Sequence, residues 1–214
     1  MNITSEAVTE YINSFYEPLN EELKELRISA EEDRVPIILK ETESFLRFIT
    51  ELERPKKILE IGTAVGYSSC LFAFLGADVT TVEKSQPMAE AAAANIKKLG
   101  LDHKITVLTG DGEEAIKSNL TYQDVFDMVF IDAAKSHYKR FLDAALSHCA
   151  KGSVIISDNV LLKGDTAAGS QEQNKRFKTN IKNMRRYLEY ISDHPLLDTV
   201  IISCGDGLAL SRYK

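Results

Sequence analysis

Two acids, an amide and a lysine stand where apolar runs of the chain end. Phe130-Ile131-Asp132-Ala133-Ala134-Lys135 closes one run with an acid and carries a lysine three residues on. Ile156-Ser157-Asp158-Asn159-Val160 closes the next with an acid and an amide. If the two runs are parallel strands, their carboxyl ends face one ligand-holding cleft. Asp132, Asp158 and Asn159 then offer three hard oxygen ligands in one place, a set suited to Mg²⁺ or another divalent cation. Beside such an ion Lys135 would have its pKa pushed down toward service as a general base. Each residue also has a plainer reading, because strand-end Asp and Asn cap helices or close turns and an isolated lysine is usually solvated. The joint occurrence at two strand ends is what argues for a metal and a base.

A second constellation lies upstream, in Ile58-Leu59-Glu60-Ile61-Gly62-Thr63-Ala64-Val65-Gly66-Tyr67-Ser68. An apolar run enters a glycine turn and passes directly into a helical pattern, as at the ligand loop of an open α/β sheet. The turn is Gly62-x-x-x-Gly66 and lacks the third glycine of G-x-G-x-x-G, which admits a pyrophosphate. A ligand without phosphate, such as S-adenosylmethionine, fits better: Thr63, Ala64 and Ser68 suit its amino-acid end. Glu60 would serve its ammonium group directly or through intervening side chains. Glu83 ends the next apolar run, 21 positions after Gly62, where an acid can accept from both ribose hydroxyls. Gly110-Asp111-Gly112 follows the third run. The plainer alternative is that Gly62 and Gly66 form only a tight turn.

These sites need a scaffold, and the chain alternates accordingly. Strands are expected at 57–62, 78–83, 105–110, 126–132 and 153–158, with helices near 65–75, 87–99, 111–118 and 137–148. Several strands are apolar on both faces, as a helix-covered parallel sheet requires. A long helix is expected at 171–192, with Phe177, Ile181, Met184, Leu188 and Ile191 on one face, followed by a hairpin of 199–204 and 208–213. Residues 4–52 read as three amphipathic helices whose apolar stripes are Val8, Ile12 and Phe15, then Leu19, Leu23 and Leu26, then Phe45, Phe48, Ile49 and Leu52. They would cap one end of the sheet. The expected organisation is one domain over 1–214, with a helical cap at 1–55 and a sheet core at 56–214.

Five parallel strands closed by an antiparallel hairpin resemble the Rossmann-like class I methyltransferase fold, a seven-stranded, mostly parallel α/β sheet that uses S-adenosylmethionine. Gly110-Asp111-Gly112 resembles the segment such enzymes place around the adenine ring. Glu60-Ile-Gly62-x-x-x-Gly66-Tyr67-Ser68, Phe130-Ile-Asp132-Ala-x-Lys135, Asp158-Asn159 and Gly205-Asp206-Gly207 together resemble the metal-dependent O-methyltransferases of the catechol and caffeoyl-CoA type. The resemblance implies that Asp132, Asp158 and Asn159 bind the metal and that Lys135 is the base. It also implies that Tyr67, Ser68, Glu83, Gly110 and Asp111 contact the donor, with Asp132 touching its amino group.

The acceptor is less legible. Residues 193–202 and the Gly205-Asp206-Gly207-Leu-Ala-Leu-Ser ending look most like the bacterial branch that methylates 5-hydroxyuridine in the tRNA anticodon loop. That resemblance implies a wobble-position 5-methoxyuridine product, and an exposed loop base needs no duplex opening. Lys175, Arg176, Lys178, Lys182, Arg185 and Arg186 would then form a phosphate-contacting patch, or else an ordinary solvated helix face. The alternative acceptor is a small catechol or hydroxycinnamoyl compound. A nucleotide-binding module without catalysis and an NAD-dependent dehydrogenase fit the motifs less well. A net charge of −6 argues against a general nucleic-acid coating protein. No run approaches a membrane span and the polar N-terminus predicts no signal peptide, so a cytoplasmic protein without membrane contact is expected; apolar surface on the helical prefix and the terminal hairpin points to a homodimer. Three scattered cysteines predict buried free thiols.

Overall fold

The computed structural model describes residues 3–167 and 178–214. Seven strands form one mixed sheet in the order β3-β2-β1-β4-β5-β7-β6. They are β1 (Lys57–Ile61), β2 (Asp78–Glu83), β3 (Ile105–Thr109), β4 (Phe126–Ile131), β5 (Cys149–Ser157), β6 (Leu197–Ile202) and β7 (Leu208–Tyr213). β1 to β5 pair in parallel, while β7 runs antiparallel between β5 and β6. This is the α/β methyltransferase-type sheet expected above, with its terminal hairpin.

Helices α4 (Tyr67–Phe74), α5 (Gln86–Lys98), α6 (Gly112–Asn119) and α7 (Tyr138–Leu146) connect the parallel strands, and α8 (Lys178–Ser192) precedes the hairpin. The part of the expected long helix before Lys178, including Lys175, Arg176 and Phe177, lies outside the described residues. Strand alternation sorts the core into two layers. Ile58, Met128, Phe130, Val154 and Ile156 pack on one face with Cys70, Leu71 and Phe72 of α4. Leu59, Ile61, Val129, Ile131 and Ile155 pack on the other with Phe141 and Leu142 of α7 and Met184 and Tyr187 of α8. Each such side chain contributes about 1.5–3 kcal/mol relative to exposure, so the central strands form a stiff platform.

The prefix forms α1 (Glu6–Asn13), α2 (Glu21–Glu32) and α3 (Lys40–Glu53). Its helices are where expected, but the α1 stripe and half of the α3 stripe do not face the core, while Phe45 and Ile49 of α3 pack against it. Val8, Ile12 and Phe15 are 46%, 44% and 69% exposed, and Phe48 and Leu52 of α3 are 66% and 63% exposed. The buried face of α3 is instead Thr42, Glu43, Leu46 and Thr50. Glu43 tolerates burial because an arginine and two tyrosine hydroxyls all bond its Oε2, while Oε1 has no partner among the described residues. The thiols are free, but only Cys70 is fully buried; Cys149 and Cys204 are partly exposed. Among the described residues no helix is long and apolar enough to cross a membrane.

Candidate active site

The sheet order changes direction between β1 and β4, and ligands of open α/β sheets bind at such a point, outside the strand ends. A cavity of about 1140 Å³ occupies this place. Its walls include Gly62, Ala64, Glu83, Asp111, Asp132 and Lys135, together with residues 35–41 from the prefix. The cap therefore closes over the carboxyl ends of the strands.

Pairing of Ile61 with Ile131 brings the two expected constellations side by side. Gly62 has φ +106°, and a β-carbon there would stand 2.0 Å from the Asp132 carbonyl oxygen. Only glycine permits both the turn and that approach. Gly62→Ala is expected to destabilise the fold by about 3 kcal/mol or more, read as a shifted denaturation midpoint. A midpoint within experimental error of the parent would show that the two loops can separate freely. Gly112 is also packing-limited, since a β-carbon would meet Ile61 and Phe141 at 2.8 Å.

The donor-loop hydroxyls differ from expectation. Thr63 shares a 2.6 Å hydrogen bond with Thr81, and Ser68 donates to Glu60, so both hydroxyls turn into the protein. Glu60 is fully buried and accepts from Ser68, Ser69 and Thr81. It can influence a ligand only through those neighbours, the indirect one of the two roles considered for it. What the loop retains is backbone: Gly66 caps α4 at φ +84° without a side-chain acceptor, which leaves first-turn amides for an anionic group. Glu83 braces the loop by accepting from the Ala64 amide at 2.9 Å and the Ser85 amide at 2.8 Å. Asp111 caps α6 and pairs with Arg140 at 2.6 Å, so its carboxylate is largely committed to the protein.

Burial pushes the Glu60 carboxyl from 4.5 up to about 7; its hydroxyl partners oppose the shift and Asp132 adds to it. The folded protein thus holds a proton between about pH 4.5 and 7 that the unfolded chain has released. Glu60's contribution to stability is fullest below that window, falls as pH rises through it and is level above it. Glu60→Gln, which cannot ionise, should lose this slope. Relative to the parent it should gain up to about 3 kcal/mol between acid and pH 8, by denaturant titration at each pH. Parallel stability profiles for the two proteins would contradict the assignment.

At the second centre, the Lys135 Nζ lies 2.8 Å from Asp132 Oδ1, 2.6 Å from Asn159 Oδ1 and 2.9 Å from the Tyr138 hydroxyl. Tyr138 in turn donates to the Asp158 carbonyl at 2.9 Å. Burial alone would lower the Lys135 pKa, but Tyr138 and the Asp132 carboxylate outweigh it and hold the ammonium above its ordinary value. Asp158 is 1% exposed; its Oδ1 accepts the Asn159 amide at 2.6 Å, and its Oδ2 has no partner among the described residues. Burial, reinforced by Asp132, raises its pKa. Asn159 adopts φ +54°, a left-handed conformation that asparagine accepts more readily than most residues.

The segment after β5 is fastened from the hairpin loop. Val160 and Leu161 amides donate to the Gly207 and Asp206 carbonyls, both at 3.0 Å, and the Lys163 amide donates to the Asp206 carboxylate. A β-carbon on Gly207 would stand 2.4 Å from Leu161. The Gly205-Asp206-Gly207 motif thus fastens the segment that directly follows Asp158 and Asn159. Tyr138 escaped the sequence reading, although the Lys135-x-x-Tyr138 spacing at the start of a helix was a signal for it.

No group of three or more His, Cys, Asp or Glu side chains that could hold a metal occurs among the described residues. The candidate set instead counts two carboxylates and one amide oxygen. It fits a hard cation on the chemistry of its donors. The Asp158 Oδ2 is a buried carboxyl oxygen without a partner among the described residues, and two of the three groups already gather around a positive charge on Lys135.

The sequence model of the O-methyltransferase family matches residues 12–214. The chain belongs to that family. This O-methyltransferase is 28% identical to the caffeoyl-CoA O-methyltransferase of Stellaria longipes, over 98% of this chain and 91% of that protein. It is 30% identical to the catechol O-methyltransferase of Mycobacterium tuberculosis, over 79% of this chain and 77% of the other. The crystal structure of the Bacillus cereus O-methyltransferase in complex with SAH superposes with a TM-score of 0.83 at 26% identity, over 97% of each chain.

Proposed function

We propose that the chain transfers the methyl group of S-adenosylmethionine to one of two adjacent oxygens of its acceptor, with Lys135 as base and a divalent cation held by Asp132, Asp158 and Asn159. The observation that carries this reading is the convergence of Asp132 and Asn159 on the Lys135 Nζ, beside the unpartnered Asp158 Oδ2 and one backbone contact away from Gly62. The relative solved with SAH supports the donor. A bound divalent cation would supply acidification of the reacting hydroxyl and a template for two vicinal oxygens.

The chain's own residues supply the rest. The α4 amides receive the donor carboxylate, and Glu83 keeps acceptor capacity for the ribose beyond its two amide bonds. Lys135, which as placed is an ammonium bonded to Asp132, must first release that proton to solvent; its neutral Nζ then takes the proton of the acceptor hydroxyl. Tyr138 keeps that nitrogen aimed across the cleft. Bringing nucleophilic oxygen, methyl carbon and sulfur into line contributes much of the acceleration.

Two acceptors fit this chemistry. The resemblance of 193–202 and of the hairpin ending supports 5-hydroxyuridine of tRNA, whose 5-hydroxyl and 4-oxo groups are vicinal. The names of the relatives support a catechol or a hydroxycinnamoyl thioester. Among the described residues of the basic face offered to RNA, one guanidinium is already engaged within the protein. Arg185 spends its guanidinium on the Asp165, Thr166 and Ala167 carbonyls at 3.0–3.2 Å, while Lys182 and Arg186 are exposed. Incubation with methyl-labelled donor, Mg²⁺ and either hypomodified tRNA or a panel of catechols and caffeoyl-CoA decides between them. Label in neither, with or without Mg²⁺, would defeat the proposal.

A further inference from the structure

Beneath the cap, a buried ion pair reaches the donor loop. Arg27 Nη2 of α2 lies 2.7 Å from Glu43 Oε2 of α3, and both side chains are almost wholly removed from solvent. The same Oε2 accepts the Tyr67 hydroxyl at 2.6 Å and the Tyr16 hydroxyl at 2.7 Å. Arg27 Nε donates to the Tyr67 hydroxyl at 3.2 Å, Nη2 donates to the Ile38 carbonyl at 3.0 Å, and the guanidinium lies 4.6 Å from the Tyr67 ring centroid. Tyr67 is the first residue of α4, directly after Gly66, and it shares the cavity wall with residues 35–39.

A buried ion pair is a weak adhesive, because desolvation offsets its attraction and an apolar pair of similar volume holds two helices as well. What an apolar pair cannot do is fix the direction of a hydroxyl. The Tyr67 oxygen here is held both as donor and as acceptor, which pins the ring at the mouth of the loop. Burial first and Glu43 second keep that phenol above its ordinary pKa, so it remains a neutral donor. The Ile38 carbonyl, gripped by the same arginine, ties the opposite wall of the cavity to the same point.

We propose that Arg27 and Glu43 are positioning residues for the methyl donor: acting through Tyr67 and Ile38, they set the spacing between the donor loop and the cap wall and thereby the affinity for S-adenosylmethionine. This rests on the donor assignment above. Neither residue is placed against the reacting atoms.

The test separates affinity from stability. Arg27→Met combined with Glu43→Met replaces the pair by apolar side chains, and Tyr67→Phe keeps the pair but removes the hydroxyl. Each full-length variant is melted, then titrated calorimetrically with S-adenosylmethionine and S-adenosylhomocysteine well below its melting temperature. Both are expected to bind about 2- to 30-fold more weakly than the parent, with the double variant melting close to the parent. Parental affinity in either variant overturns the inference and leaves the donor assignment standing. A parent protein that binds neither compound removes the donor assignment and this inference with it.

Discussion

Asp158→Ala is expected to abolish metal-dependent methyl transfer, by at least about a thousandfold, while donor affinity stays within about twofold of the parent. The carboxylate is 1% exposed, and its Oδ2 finds no partner among the described residues. Ionising a carboxyl so placed is costly, and burial reinforced by Asp132 raises the Asp158 pKa accordingly. Removing it should therefore cost little folding stability beyond the acceptor lost by the Asn159 amide. The combination is diagnostic, since a purely structural aspartate would show stability and activity falling together. Labelled-methyl transfer with and without chelator, beside a thermal melt, makes the comparison. Full activity of the variant in the presence of chelator would falsify the cation assignment.

Substituting Lys135 should act on the chemical step alone. Lys135→Met preserves length and removes the proton acceptor, and loss of a positioned general base costs about 10²- to 10⁴-fold in turnover. Lys135→Arg separates two roles that a methionine cannot. Arginine restores a cation opposite Asp132 and Asn159 but does not release its proton under any working condition. If the nitrogen serves as base, the arginine variant should remain as impaired as the methionine one in single-turnover assays at saturating donor. Recovery with arginine would assign the residue to charge neutralisation, the role its present contacts resemble.

Much of this centre was readable from the chain because strand ends announce themselves. The apolar runs ending at Ile61, Ile131 and Ser157 located Gly62, Asp132 and Asp158, and parallel pairing then placed them together. Side-chain direction was not readable. Thr63 and Ser68 have the right chemistry for a ligand but are drawn inward by Thr81 and Glu60, partners that no local spacing reveals. The cap was misread for a related reason. Hydrophobic periodicity placed Phe48 and Leu52 in the apolar stripe of α3 and gave no sign of Glu43, whereas the pairing with Arg27, 16 residues away, turns the buried face toward Glu43. A pattern that scores charge as exposure cannot see a charge neutralised by a distant part of the chain.

The contact between Gly62 and the Asp132 carbonyl also has a temporal meaning. Residues 57–109 already contain β1 to β3, the donor loop and Glu83, enough to form three paired strands as the chain leaves the ribosome. Yet β4 must thread in beside β1, and β5 beside β4, before the far wall of the cavity exists. Such non-local pairing is slow compared with local helix formation. The half-made sheet meanwhile exposes the apolar edge of β1, Ile58 to Ile61, which later lies against Met128 to Ile131. Until about 157 residues have emerged the nascent protein has a donor loop but no acceptor side, and its most aggregation-prone edge is the one on which the catalytic centre will be built.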